Sequence, residues 1–343
     1  MPCPTLESPG VAAVAGVVTA LAIGCGEEDR RRAQHGEPDR VAAVIKTVDN
    51  PFFATMRDGL VATARRQGVR VRVGAAAELQ DTAGQASTLE ALADDDAGCY
   101  VVNPVTPTNL IAPLGHLPPR TPIVNIDSPI DRRAARAVNV TISTYIGIDN
   151  VAAGRLAAAA MAEVVAPGAR VAVVTGIPGD IGSGARTRGF RAGARGRFVV
   201  ADAIAADFDR DRAREAAADL LRADDRIRGF FAVNDQMALG IVDAVAETGR
   251  RGDVAVIGVD GIPKALDAVR RGALTATVAQ YPYTMGRLGV EACVAAMRGD
   301  KPPARVDAPV SVVTRENVAR AIARAPRPVA PFSDPFTATA PAG

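Results

Sequence analysis

The chain has 343 residues, 48% of them apolar, enough to fill two cores. Its 40 basic and 38 acidic residues leave a net charge of +2 with no sustained basic stripe, which argues against nucleic acid as a partner. Aromatics are sparse, with 9 Phe, 4 Tyr and no Trp, so the position of each one carries information.

In chain order, the first feature is an apolar run from Val11 to Ile23, too short to span a bilayer. It ends in Leu21-Ala22-Ile23-Gly24-Cys25, which resembles a secretory signal closed by a lipoprotein cleavage box, with Cys25 as the lipidated first residue. Gly26 to Arg40 is charged and lacks apolar period, so it reads as a tether. Strand patterns then follow at Val41–Lys46, Val69–Gly74, Cys99–Asn103, Ile123–Asp127, Val171–Gly176, Phe198–Asp207, Gly229–Asn234, Val254–Asp260 and Leu274–Gln280, with helical stretches between them. This alternation predicts an α/β protein of two Rossmann-like lobes, each with a parallel sheet covered by helices. The halves meet near Tyr145–Asp149, and after Gln280 the chain returns to both. The expected division is 1–25 signal peptide and lipobox, 26–40 tether, 41–146 plus 281–309 for the N-terminal lobe, and 147–280 plus 310–322 for the C-terminal lobe. The Pro/Ala-rich tail, 323–343, reads as disordered.

Four cysteines do not make a disulfide framework: Cys3 and Cys25 precede the folded region, and Cys99 and Cys293 read as buried free thiols.

The two halves repeat one pattern. Apolar strands deliver Asn103 and Asp127 in the first half, and Asn234 and Asp260 in the second, each pair about 25 residues apart. Ligands of open parallel sheets sit at the carboxyl ends of the strands, so two such rims imply a cleft for a hydroxyl-rich small molecule. Asn50 and Pro51 fit a helix cap and first turn, and Phe52 and Phe53 open that helix. Aromatic faces there suit the C–H face of a sugar ring. Phe208 occupies a similar corner in the second half, and Arg186 lies in a Gly-rich loop where its fork can donate to ligand oxygens. That loop does not give G-x-G-x-x-G directly after its strand. His35 and His116 have no partners at metal-ligand spacing, and no nucleotide, hydrolase or metalloprotease motif occurs, so neither catalysis, a cofactor nor a metal is expected.

Taken together, KTVDNPFF, VVNP, VNIDSPID, GSGARTRGF, ADFDRDRA, AVNDQMALG, GVDGIP and TATVAQYP resemble the periplasmic sugar-binding proteins of ABC transporters, in the ribose- and allose-binding branch, from about Val41 to Arg315. The resemblance implies the type I periplasmic binding protein fold and capture of a monosaccharide that is delivered to an ABC permease. It implies a monomer outside the cytoplasmic membrane, held there by the lipid anchor, and is compatible with a sensory receptor as second partner. Sugar contacts implied for the first lobe are Lys46, Asn50, Phe52 or Phe53, Asn103 and Asp127. The second lobe would supply Arg186, Phe208, Asn234 and Asp260, with Gln280 at the hinge. Lys46 and Ser128 look closer to the allose-like branch, whereas Phe53, Phe208 and Asn103 depart from it. The rival readings are a sugar-responsive repressor, which needs a helix-turn-helix that residues 1–40 do not offer, and a nucleotide-dependent enzyme on a Rossmann-like sheet.

Overall fold

A computed structural model describes residues 37–93 and 96–336. The signal segment, Cys25 and the tether up to residue 36 lie outside them. The first lobe begins β1 (Glu37–Ile45), α1 (Pro51–Gln67), β2 (Arg70–Ala75), α2 (Thr82–Ala93) and β3 (Ala97–Val102). It continues with α3 (Ile111–Gly115), β4 (Ile123–Ile126), α4 (Arg132–Ala137) and β5 (Thr144–Gly147). The second lobe runs α5 (Asn150–Ala162), β6 (Arg170–Thr175), α6 (Ile181–Ala194), β7 (Val199–Ala205), α7 (Arg210–Ala223) and β8 (Ile227–Ala232). Then come α8 (Asp235–Glu247), β9 (Ala255–Asp260), α9 (Pro263–Arg270) and β10 (Ala276–Gln280). The chain returns to the first lobe for α10 (Pro282–Met297) and β11 (Arg305–Asp307), and to the second for β12 (Val310–Thr314) and α11 (Val318–Arg324).

Each lobe holds a six-stranded sheet, ordered β11-β5-β4-β3-β1-β2 in the first and β12-β10-β9-β8-β6-β7 in the second. All pairings are parallel except β10 with β12. The expected pair of α/β lobes is therefore the architecture found. Strands β3 and β4 are buried along their whole length and, Asn125 apart, carry no polar side chain beyond the Tyr100 hydroxyl, as sheets covered on both faces require. Helices approach closely where they carry the cleft. A Cβ on Gly154 of α5 would run into the backbone of Arg186, and one on Gly189 of α6 into that of Val151. These two glycines let α6 lie against α5 and bring Arg186 to the rim.

Three sequence expectations are corrected. First, Glu37–Arg40 belongs to β1 rather than to the tether: Glu37 pairs with Ala97 and Arg40 with Arg70, and backbone pairing does not need apolar side chains. Second, the tail expected to be disordered from residue 323 is ordered as far as Phe336. Arg324 ends α11, and the following segment crosses from the second lobe onto α10 of the first. The Val329 amide donates to the Tyr281 hydroxyl at 3.2 Å. Arg287 of α10 bonds both Glu291 and Asp334, its guanidinium lies 6.0 Å from the Phe332 ring centroid, and Phe336 is buried. Apolar anchors at Phe332 and Phe336, hidden in a Pro-rich composition, offset the ordering entropy. Residues 337–343 lie outside the described residues.

Third, Cys99 and Cys293 are not free thiols. Both are fully buried and joined in a disulfide, Cα atoms 5.6 Å apart across 194 residues. The bond ties β3 to α10, and so fastens the returning helix to the sheet it covers. Sequence gave no sign of it because the pairing exists only once α10 has come back. Replacing both cysteines by Ser is expected to lower the unfolding free energy by about 2–4 kcal/mol in urea titrations. Dithiothreitol should reproduce that loss in the wild type and leave the variant unchanged.

Candidate functional site

Between the two sheets' carboxyl ends lies a cavity of about 380 Å³, within the ordinary range of small-molecule sites. Lys46, Asn50, Phe52, Phe53 and Asp127 line it from the first lobe, and Arg186, Phe208, Asn234 and Asp260 from the second. Gln280, at the crossing from β10 to α10, lines its floor. Asn103 is the exception. It is fully buried and absent from the lining; its Nδ2 lies 3.6 Å from Met56 Sδ, and its Oδ1 has no partner among the described residues.

Local structure explains the placement. Asn50 caps α1, its Oδ1 accepting from the Phe52 amide at 3.0 Å, and Asn234 caps α8 the same way from the Met237 amide at 3.0 Å. In both, the side-chain oxygen is fixed by the helix, which leaves Nδ2 as the donor group for the cavity. Phe52 and Phe53 meet edge to face, centroids 5.2 Å apart, and Lys46 Nζ lies 5.8 Å from the Phe53 centroid. Phe208 follows Asp207 in a pair of left-handed residues, φ 62° and 53°. A Cβ at Gly176 would collide with the Phe208 ring, so that glycine makes room for the aromatic.

Asp127 and Asp260 also have positive φ, 59° and 128°. Such backbone conformations cost energy and persist only where the surroundings hold them. For Asp127 the surroundings are Asn125, whose Nδ2 donates to the Ser128 carbonyl at 2.8 Å and whose Oδ1 accepts from the Ile130 amide at 2.9 Å. The Tyr145 hydroxyl donates to the Asp127 carbonyl at 2.6 Å. In the second lobe Arg186 donates from Nη1 to the Val233 carbonyl at 2.7 Å and from Nε to Asn150 Oδ1 at 2.8 Å. The same Nη1 lies 3.6 Å from Asp260 Oδ1, which also accepts from Gln280 Nε2 at 2.7 Å. Gln280 Oε1 is buried without a partner among the described residues.

The periplasmic binding protein domain model matches residues 41–301. The chain belongs to this family. It is 32% identical over 266 residues to the D-allose-binding periplasmic protein of Escherichia coli, covering 76% of this chain and 85% of the relative. It is likewise 32% identical over 273 residues to the ribose import binding protein of Bacillus subtilis, covering 79% of this chain and 86% of that one. Among solved structures, an ABC transporter periplasmic solute-binding protein from Actinobacillus succinogenes with bound D-allose superposes with a TM-score of 0.76 at 28% identity. That match covers 82% of this chain and 99% of the other.

Sequence reasoning missed several residues that the family fold brings to the cavity wall or behind it. Asn150 lines the cavity and holds Arg186, and Gln80, Thr106 and Asp180 add polar groups at the rim. Asn150 is the first residue of α5 and Asp180 caps α6, places where a polar residue is so common that the sequence does not single it out. Behind the wall, Asp235 is fully buried beside Asp260. Burial pushes the Asp260 carboxyl up to about 6, with Arg186 and the Gln280 hydrogen bond pulling the other way; burial and the neighbouring Asp260 hold Asp235 well above the usual carboxylate range.

Between about pH 4 and 6 the folded chain therefore keeps a proton that the unfolded chain has lost, and stability falls as pH rises through that window. Urea unfolding of the ligand-free protein should show a decline on the order of 2 kcal/mol across it. In Asp260→Asn the decline should shrink, because the neutral amide has no proton to lose.

Proposed function

We propose that the protein is an extracytoplasmic solute-binding protein that captures a monosaccharide between its lobes and presents it to an ABC sugar permease. The observation that carries this reading is the two-sided cavity, where each lobe contributes an amide, a carboxylate and aromatic surface and Gln280 marks the crossing between them. Asp127 and Asp260 accept hydrogen bonds from ligand hydroxyls with charge-assisted strength. Arg186, Lys46, Asn50 and Asn234 donate to its oxygens, and Phe52, Phe53 and Phe208 cover the ring faces. A ligand that bonds to both rims favours the closed arrangement of the lobes over the open one by the difference in its contacts to each. The closed form is then the state the permease receives. Family members named for D-allose and ribose, and a solved relative holding D-allose, support this class of ligand.

Calorimetry on the wild type, Asp127→Ala and Asp260→Ala tests the site. Each substitution is expected to cost about 1.5–3 kcal/mol of binding without a fall in the ligand-free melting temperature. Unchanged affinity in both would rule out this cavity as the sugar site.

The choice of sugar rests on Lys46 and Ser128, which both line the cavity. Lys46 reaches over the rim with a donor that a small residue lacks, and Ser128 leaves space that an Arg would fill. An allose-like hexose is therefore favoured over ribose. Lys46→Ser combined with Ser128→Arg should shift the preference toward ribose, read as the ratio of the two dissociation constants. A wild type that prefers ribose would overturn the assignment.

The lipid anchor at Cys25 is part of the same proposal. Detergent-phase partitioning should place the wild-type chain in the detergent and Cys25→Ala in the aqueous phase; equal aqueous partitioning would dismiss the anchor.

A further inference from the structure

We propose that Asp235 is a positioning residue for ligand binding: it holds the turn after β9 in the conformation that presents Asp260 to the cavity. The inference rests on the reading of Asp260 as a ligand contact and goes beyond it, because Asp235 is itself absent from the cavity wall.

Asp235 opens α8 directly after its capping residue, and its carboxylate is fully buried. One oxygen accepts from the backbone amides of Gly261 at 2.6 Å and Ile262 at 3.0 Å. The other accepts from the Thr277 hydroxyl at 2.8 Å, and that hydroxyl in turn accepts from the Gly261 amide at 3.2 Å. These bonds fall where the sheet no longer helps. The pairing of β9 with β10 ends at Asp260 opposite Ala279, and the next residues turn away with φ 128° at Asp260 and 73° at Gly261. Without Asp235, the buried Ile262 amide would lose its acceptor and the half-buried Gly261 amide would keep only the longer bond to Thr277, in a backbone conformation that already costs energy.

The surrounding sheet is shaped to admit this carboxylate. A Cβ at Gly258 would collide with Asp235 Oδ1, so β9 lacks a side chain where the carboxylate lies. Placing one buried carboxylate beside another is unfavourable for folding alone. Its function is the geometry it imposes: Asp260 sits with Gln280 at 2.7 Å and Arg186 at 3.6 Å, all three on the cavity wall.

The test is titration calorimetry with D-allose and D-ribose on the full chain, using whichever sugar the wild type binds. Asp235→Asn keeps the shape but removes the charge and replaces one accepting oxygen by a donor, and should raise Kd at least tenfold. Amide exchange at Gly261 and Ile262 should quicken in the same variant. Thr277→Val should weaken binding several-fold, whereas Thr277→Ser, which keeps the hydroxyl, should restore it; this pair carries the test should Asp235→Asn not fold. Positioning through Asp260 makes a specific demand on the double variant: Asp235→Asn adds no further loss to Asp260→Asn. Additive losses would show a general structural role and overturn the proposal. So would unchanged Kd in Asp235→Asn and Thr277→Val when Asp260→Asn binds weakly. Unchanged Kd in Asp260→Asn, or binding of neither sugar, would overturn the ligand-site reading and this proposal with it.

Discussion

Everything at the cleft depends on one constraint: a turn at the end of a buried strand must find partners for the backbone groups that the sheet releases. At this cleft buried polar side chains supply them. In the first lobe Gln85 donates to the Asn103 carbonyl and accepts from the Val105 amide, both at 2.9 Å. Asn125 performs the same task for residues 128 and 130. In the second lobe Ser183 accepts from the Gly176 amide at 3.0 Å, and Asp235 accepts from Gly261 and Ile262. Each is almost fully buried. The turns beside the cavity are thus held by polar groups behind its wall, Ser183 apart.

The electrostatic arrangement follows from those turns. Once Asp260 is fixed, Arg186 and Gln280 stand beside it and bring the second lobe and the crossing strand to a single carboxylate. Arg186 is anchored by the Val233 carbonyl and Asn150 rather than by Asp260 alone, so the carboxylate keeps acceptor capacity for a ligand. Burial makes such groups costly when unpaired and strong when paired, because low dielectric sharpens both effects.

The connections between lobes show the same division between local and distant causes. The chain passes between the sheets after β5, β10 and β11, and again beyond α11, where Arg287 and Asp334 fasten the last segment to α10. The disulfide joins α10 to β3, both in the first lobe; the crossings after β5 and β10 fall within the stretch it closes, and those after β11 and α11 fall outside it. Motion between the lobes is thus compatible with a first lobe locked internally.

The sequence by itself determined nine of the twelve strands described, the helix cap at Asn50 and the repeated polar strand ends, because hydrophobic period and capping are set by residues a few positions apart. It therefore made the two α/β lobes legible, along with every expected cavity residue except Asn103. That residue shares the signature of a strand-end Asn with Asn234, but it turns toward Met56 instead of the opening. Only the tertiary structure decided which buried polar side chains serve the turns, since Asp235 reaches Gly261 across 26 positions and Gln85 reaches Val105 across 20. It alone paired Cys99 with Cys293 and ordered the tail through Phe332, Asp334 and Phe336. Those partners lie far apart in sequence, and their contacts appear only when the returning segment packs against the first sheet and its helices.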